Sequence, residues 1–205
     1  MSDNQTNYQS LLAEMITTFG LVFFTGLATL YFEFTTNYDL VGIAFTNVLV
    51  LAILVYFAYP ISGAHINPAI TIGLVATDRM DVIEGMLYII SQLIGSILAA
   101  IAILLASSDT LLTAAKGGSE LGFPHITAHY SIFSALFLVI MMTFFLMFVF
   151  WAFTIDDRAP DAIYGFAIGG IVGADILAGG ALVGAGMNPA RVFGPALISG
   201  DWQNQ

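Results

Sequence analysis

Five long apolar runs and two short ones, set apart by brief polar breaks, make up this chain. The long runs lie at about 11–32, 40–59, 82–106, 132–155 and 162–178. Each is close to the roughly 20 residues that a helix needs to cross a bilayer. The short runs, at about 68–76 and 189–199, reach only about half-way across. Most polar breaks are compact, such as Thr77-Asp78-Arg79-Met80-Asp81 and Asp156-Asp157-Arg158-Ala159-Pro160-Asp161. One connection is longer, from Ser107 to Tyr130, and carries Lys116, His125 and His129. Pro60 closes the second long run, and glycine-rich turns precede both short ones.

The short runs open on related motifs. The first reads Ser62-Gly63-Ala64-His65-Ile66-Asn67-Pro68-Ala69, the second Gly184-Ala185-Gly186-Met187-Asn188-Pro189-Ala190-Arg191. Both carry Gly-Ala, two residues, then Asn-Pro-Ala. Asn is a strong N-cap, because its side-chain oxygen accepts from a free N–H of the first turn. Pro fits the first helical position, where a missing N–H is no loss. Asn67 and Asn188 therefore predict helices that begin at Pro68 and Pro189 and are too short to span. They read as half-helices that enter the membrane and stop inside it.

Taken in order, the chain repeats: span, span, half-helix, span, and then span, span, half-helix. Three spans per copy place the two copies in opposite orientations, an arrangement that puts a site at the midplane where broken helices meet. The expected fold is an all-α membrane protein with an inverted repeat, one domain over 1–205. The first copy covers about 8–107 and the second about 130–205. The second is incomplete, since nothing between Ser199 and Gln205 can form a span. A sixth transmembrane helix is expected to be absent from this chain, as in a truncated protein.

Composition narrows the class further. Charged residues make up 9% of the chain and hydrophobic ones 59%, where a soluble domain carries about 25% charged. Mean hydropathy is +0.92. With no cysteine, disulfides, thiol catalysis and cysteine metal sites are excluded. Four basic residues against a net charge of -10 argue against a nucleic-acid partner. No nucleophile–base pair or metal-ligand cluster stands out, so neither an enzyme nor a cofactor is expected. The residues before Leu11 lack the basic region of a cleavable signal. Arg79 and Arg158 fall on one side and Lys116 on the other, which predicts a cytoplasmic N-terminus. The cell membrane is the expected location. The formal sequon Asn4-Gln5-Thr6 would then carry no sugar.

The doubled Asn-Pro-Ala motif, Ile61-Ser62-Gly63-Ala64-His65 and Arg191-Val192-Phe193-Gly194-Pro195-Ala196 resemble the aquaporin (major intrinsic protein) family. The resemblance runs from Ala13-Glu14 to Asp201-Trp202. Gly173-Ala174-Asp175-Ile176-Leu177-Ala178-Gly179-Gly180 resembles the plant tonoplast branch. The resemblance implies a passive channel for water and small neutral solutes that excludes protons and ions, one pore per subunit, and a homotetramer. It also implies a selectivity filter at Asn47, Ile176, Ala185 and Arg191. That set lacks the aromatic ring and the histidine of strict water channels and is closest to the tonoplast type. Ammonia and glycerol become alternative solutes. Val192 and Ala196 stand where glycerol facilitators carry Asp and Lys, which argues against that branch. A structural membrane protein with a closed pore is the alternative of another class.

Physical reasoning stands beside the resemblance. Each half-helix N-terminus carries about +0.5 charge, and two facing ends repel cations. Asn67 and Asn188 can donate to a passing water. Non-helical backbone at membrane depth is tolerated where it lines a wet cavity, so the carbonyls of Gly63, Ala64 and His65, with Gly184, Ala185 and Gly186, form an expected ladder of acceptors. Arg191 lies one turn into its half-helix, opposite Ile70 in the first copy, and a cation at that depth reads as functional. Glu14 matches a family residue that braces a pore-side loop, and its counterpart here is Val139. Asp175, mid-span and next to the filter, is expected to bond loop backbone. Gly165, Gly169 and Gly173, and Gln92 with Gly95, read as helix-packing positions. One of His125 and His129 would reach the filter in a tonoplast-type channel.

Overall fold

In the computed structural model the described residues are 7–36, 39–115, 120–124, 126, 130–156 and 158–202. Lys116, His125, His129 and Asn4-Gln5-Thr6 lie outside them. Eight α-helices occur among the described residues. Five are long and apolar enough to cross a membrane: α1 Tyr8–Thr36, α2 Leu40–Ser62, α4 Val82–Ala106, α6 Ile132–Thr154 and α7 Tyr164–Val183. The half-helices are α3 Pro68–Ala76 and α8 Pro189–Ser199, and a short helix, α5 Asp109–Ala115, lies in the long connection.

Three boundaries depart from the sequence pattern. Helix α2 runs through Pro60 to Ser62, where Gly63 at φ 80° donates its N–H to the Tyr59 carbonyl and closes the helix. A proline removes one backbone bond, and this close to a capped end the helix tolerates the loss. Helix α7 continues past Ala178 to Val183 and ends on Gly184 at φ 65°. Gly179 and Gly180, which look like a turn, are instead packing positions. A Cβ on Gly179 would meet Met142 and Leu138 of α6, and one on Gly180 would lie 3.1 Å from Leu40. Helix α5 was hidden by the polarity of its surroundings, and seven residues are too few for a clear period.

Cross-links fix which ends share a face. Ser10 Oγ donates to the Ile61 carbonyl at 2.8 Å, and Tyr59 Oη donates to the Thr154 carbonyl at 3.0 Å. Arg79, just beyond α3, lies 5.5 Å from the ring centroid of Trp151. The start of α1 and the ends of α2, α3 and α6 therefore meet at one face. The end of α7 lies at the other, against the start of α2 at Leu40. The turns that lead into α3 and α8 thus enter from opposite faces. Beyond α6, the Asp156 carboxylate receives the Arg158 guanidinium at 2.7 Å. Hydrogen bonds from Arg158 hold the Asp156 carboxyl down at about 2.

Close helix packing surrounds the centre. Helix α2 lies along α7, α1 along α4, and α8 against α4. Outward, α2 shows Phe45, Ile53 and Phe57, and α6 shows Phe137, Phe144 and Phe148, all exposed. That is the surface a bilayer covers. Glycines set the α2–α7 distance, because a Cβ on Gly169 would stand 2.6 Å from the Val48 carbonyl oxygen. Backbone cannot swing aside as a side chain can. Gly169→Ala is expected to cost about 1–3 kcal/mol, the usual overpacking range. Gly170→Ala, with nothing within 4 Å of its Cβ, serves as control. Thermal unfolding in detergent separates the two, and equal melting points would contradict the packing account.

Candidate functional site at the meeting of two half-helices

The site begins with two caps. Asn67 Oδ1 accepts from Ala69 N at 2.9 Å, with Pro68 at the first helical position. Asn188 Oδ1 accepts from Ala190 N at 3.0 Å and Arg191 N at 3.4 Å, with Pro189 at the first position. The amide nitrogens then cross. Asn67 Nδ2 donates to the Met187 carbonyl at 3.1 Å, and Asn188 Nδ2 donates to the Ile66 carbonyl at 2.8 Å. Each acceptor is the residue just before the other cap. The two half-helix N-termini are thereby tied together by a reciprocal pair of bonds, and one N–H of each amide is left over.

The turns before the caps are strained in matching places. Ala64 and Ala185 both have positive φ, 53° and 51°, and both stand three residues before their Asn. Ile66 also sits at φ 53°, which is unfavourable for a β-branched residue by roughly 1–3 kcal/mol. Glu14 holds this turn. Its Oε1 accepts from His65 N at 2.9 Å and Ser62 Oγ at 2.7 Å, and its Oε2 accepts from Ile66 N at 2.7 Å and Gln92 Nε2 at 2.7 Å. The second turn has no equivalent carboxylate from α6. Val139 packs against the apolar core instead, and Met187 N finds the Ala185 carbonyl within the turn itself.

Helix α4 carries a polar stripe that sequence reading divided and undervalued. Tyr88, Gln92 and Ser96 recur every four residues and are all buried. Tyr88 Oη donates to the Ser62 carbonyl at 3.1 Å, and Gln92 Nε2 also reaches Thr71 Oγ1 of α3 at 3.1 Å. Ser96 Oγ donates to the Ala190 carbonyl of α8 and accepts from Gly194 N at 3.1 Å. A Cβ on Gly194 would overlap Ser96, so glycine is what lets α8 reach α4. One helix face thus holds both half-helices. Polar residues at i, i+4 and i+8 in an otherwise apolar span are the signal that could have revealed it.

Between these elements lies one cavity. Its wall includes Asn67 and Asn188, together with Asn47, Ile176, Ala185 and Arg191. Ala64 and His65 also line it, whereas Gly63, Gly184 and Gly186 do not. Gly63 and Gly184 are used as left-handed helix caps, and Gly186 lies 3.5 Å from Pro124 by its Cβ position. The chain reaches the cavity only after these caps, so Ile66 and Met187 contribute instead. The cavity offers about 40 Å³ to water-sized spheres, room for a few waters where one needs about 10–15 Å³.

Its chemistry is mixed. Asn47 Nδ2 donates one N–H to its own helix at the Ile43 carbonyl, 2.8 Å away, so its oxygen and its second N–H are the groups it can offer a solute. Thr71 Oγ1 donates to the Asn67 carbonyl at 3.2 Å. Its one proton so used, it must accept from His65 Nδ1 at 3.0 Å. That assigns the Nδ1–H tautomer to His65 and leaves Nε2 as an acceptor. Among the described residues Arg191 is the one charged residue on the wall. Asp175 is buried but not part of the wall, and its Oδ2 has no hydrogen-bond partner among the described residues. The expected bond from loop backbone to that oxygen is not found.

Five spans around two half-helices with capped, facing N-termini define a polytopic membrane protein. This chain belongs to the major intrinsic protein family, whose model matches residues 1–205. It is 40% identical over 172 residues to aquaporin TIP1-2 of Musa acuminata, a match covering 83% of this chain and 65% of that relative. To nodulin-26 of Glycine max it is 37% identical over 198 residues, covering 95% of this chain and 69% of the relative. The X-ray structure of the aquaglyceroporin from Plasmodium falciparum superposes with a TM-score of 0.80 at 22% identity, over 96% of this chain and 83% of that one. The fold is thus that of the aquaporins. The chain spans just under two thirds of the length of the TIP1-2 relative.

Proposed function

We propose that the cavity is part of a passive pore for water and small neutral solutes, closed to protons and ions. The observation that carries this reading is the reciprocal bond between Asn67 and Asn188 at the cavity wall. Two half-helix N-termini, each worth about +0.5 charge, converge there, and Arg191 adds a full positive charge. Half-helix dipoles and an arginine are the established barrier to protons and cations in aquaporin-type pores. The spare amide N–H groups donate to a water oxygen and turn its own protons outward, which interrupts a proton-conducting file. Most of the remaining wall is apolar, so few other groups compete for that water.

The filter is assigned to Asn47, Ile176, Ala185 and Arg191, with Glu14 as support for the first turn. Among the described residues the wall contains no Phe, Tyr or Trp. That absence favours a second reading in which ammonia or glycerol passes as well. A membrane-embedded homotetramer with a cytoplasmic N-terminus and repeats at about 8–107 and 130–205 completes the proposal. The shared face of Arg79 and Arg158 supports the orientation, and the TIP-type relatives favour a tonoplast-type membrane over the cell membrane.

A solute panel tests this reading. The full chain is reconstituted in proteoliposomes, and stopped-flow traces are taken for water, glycerol and ammonia. Water flux above protein-free vesicles is expected, with ammonia or glycerol flux detectable beside it. Folded protein that conducts none of the three would sink the channel reading in favour of a structural membrane protein.

A further inference from the structure

We propose that Thr25 of α1 is a positioning residue for the Arg191 guanidinium and thereby sets the aperture and solute selectivity of the pore. This rests on the channel reading above and adds a residue outside the four filter positions. Arg191 Nε donates to Thr25 Oγ1 at 3.2 Å. The two residues are 166 positions apart, so the bond joins the opening helix of the first repeat to the second half-helix. Thr25 is fully buried and does not line the cavity.

The direction of this bond is fixed by what else Thr25 does. Its hydroxyl donates to the Leu21 carbonyl at 2.7 Å. A hydroxyl has one proton, so with that proton committed the oxygen is an acceptor only, aimed at Arg191. The anchor itself cannot drift. The neighbouring Gly26 is wedged against the turn Glu120–Gly122, where a Cβ on Gly26 would be 3.1 Å from the Leu121 carbonyl oxygen. Leu21, the acceptor, lines the cavity.

A guanidinium is planar, so fixing the Nε–H direction fixes the plane in which both terminal nitrogens lie. With Nε tied to α1, the Arg191 side chain cannot turn freely about its last bonds. Loss of the tie removes the restraint on Nε, and the plane and the aperture then vary more widely. A solute larger than the resting aperture gains most from the wide excursions, whereas water passes in either case. Loss of the Thr25 oxygen should therefore raise the glycerol-to-water permeability ratio.

The test compares Thr25→Val, which keeps the shape and removes the oxygen, with Thr25→Ser, which restores it. Thr25→Ala is the second oxygen-free variant in case valine does not fold, and Arg191→Ala is the reference. All are reconstituted as full chains and measured for water and glycerol in the same stopped-flow assay. A rise of about threefold or more in the ratio is expected for Val or Ala, the scale on which one charge-assisted hydrogen bond shifts a local equilibrium. Thr25→Ser should return to the wild-type ratio. An unchanged or lowered ratio in folded Val or Ala variants, beside a shifted one in Arg191→Ala, would overturn the role of Thr25 and leave the channel reading standing. Wild-type protein without water flux would instead defeat the channel reading itself.

Discussion

Glu14→Ala is expected to cost this protein about 2–6 kcal/mol, the scale for leaving two buried backbone donors without an acceptor. The side chain is fully buried and accepts four hydrogen bonds, two of them from the backbone of His65 and Ile66. In the variant those N–H groups stay at membrane depth with no acceptor, each a cost of about 1–3 kcal/mol. Ile66, held at φ 53°, would then relax and carry Asn67 with it. Glu14→Gln is not a mild change. Each carboxylate oxygen accepts from two donors, so the oxygen that becomes an NH2 group sets a donor against two donors. Loss of folded yield and a lowered melting point in detergent are expected for both variants, larger for alanine. A melting point within about 2 °C of wild type for Glu14→Ala, small beside the several degrees per kcal/mol typical of a domain, would contradict the brace.

Arg191→Ala should have the second large effect, on selectivity rather than folding. It removes the single charged residue that the described residues place on the cavity wall. One charge acting over about 4 Å at an effective dielectric of 20 is worth about 4 kcal/mol. The two half-helix dipoles remain, so the barrier to cations falls only in part. A rise of up to about a thousandfold in proton or potassium leak is the expected scale, since each step of about 1.4 kcal/mol corresponds to a factor of ten. The ratio of glycerol to water flux should rise with it, because a long side chain has left the constriction. A pH-sensitive dye inside proteoliposomes reads the leak. No change in leak at normal water flux would remove Arg191 from the barrier.

Much of this was legible in the sequence because the membrane makes local rules strict. Backbone groups in lipid must be paired, so apolar runs of span length became helices nearly where their composition placed them. The Asn-Pro pairs fixed the starts of α3 and α8 at Pro68 and Pro189, since a cap and a first-turn proline are local chemistry. What escaped was long-range. That Asn67 and Asn188 spend one N–H on each other's turn depends on two segments meeting. The grip of Tyr88, Gln92 and Ser96 on both half-helices depends on how α4 is rotated. Gly63, Gly184 and Gly186 looked like members of the acceptor ladder, but a glycine just before an extended turn serves equally as a left-handed cap, and Gly63 and Gly184 serve as caps. Asp175 Oδ2 has no hydrogen-bond partner among the described residues, and nothing in its neighbours along the chain foretold that.

The central claim is that water passes where the two capped half-helices meet. Osmotic shrinkage of proteoliposomes carrying the full chain, followed by light scattering at several temperatures, tests it most directly. A shrinkage rate well above that of protein-free vesicles, with a weak dependence on temperature, is the predicted result, because water in an open file meets no hydrocarbon barrier. Folded protein that shrinks its vesicles no faster than bare lipid, with the steep temperature dependence of lipid permeation, would contradict it.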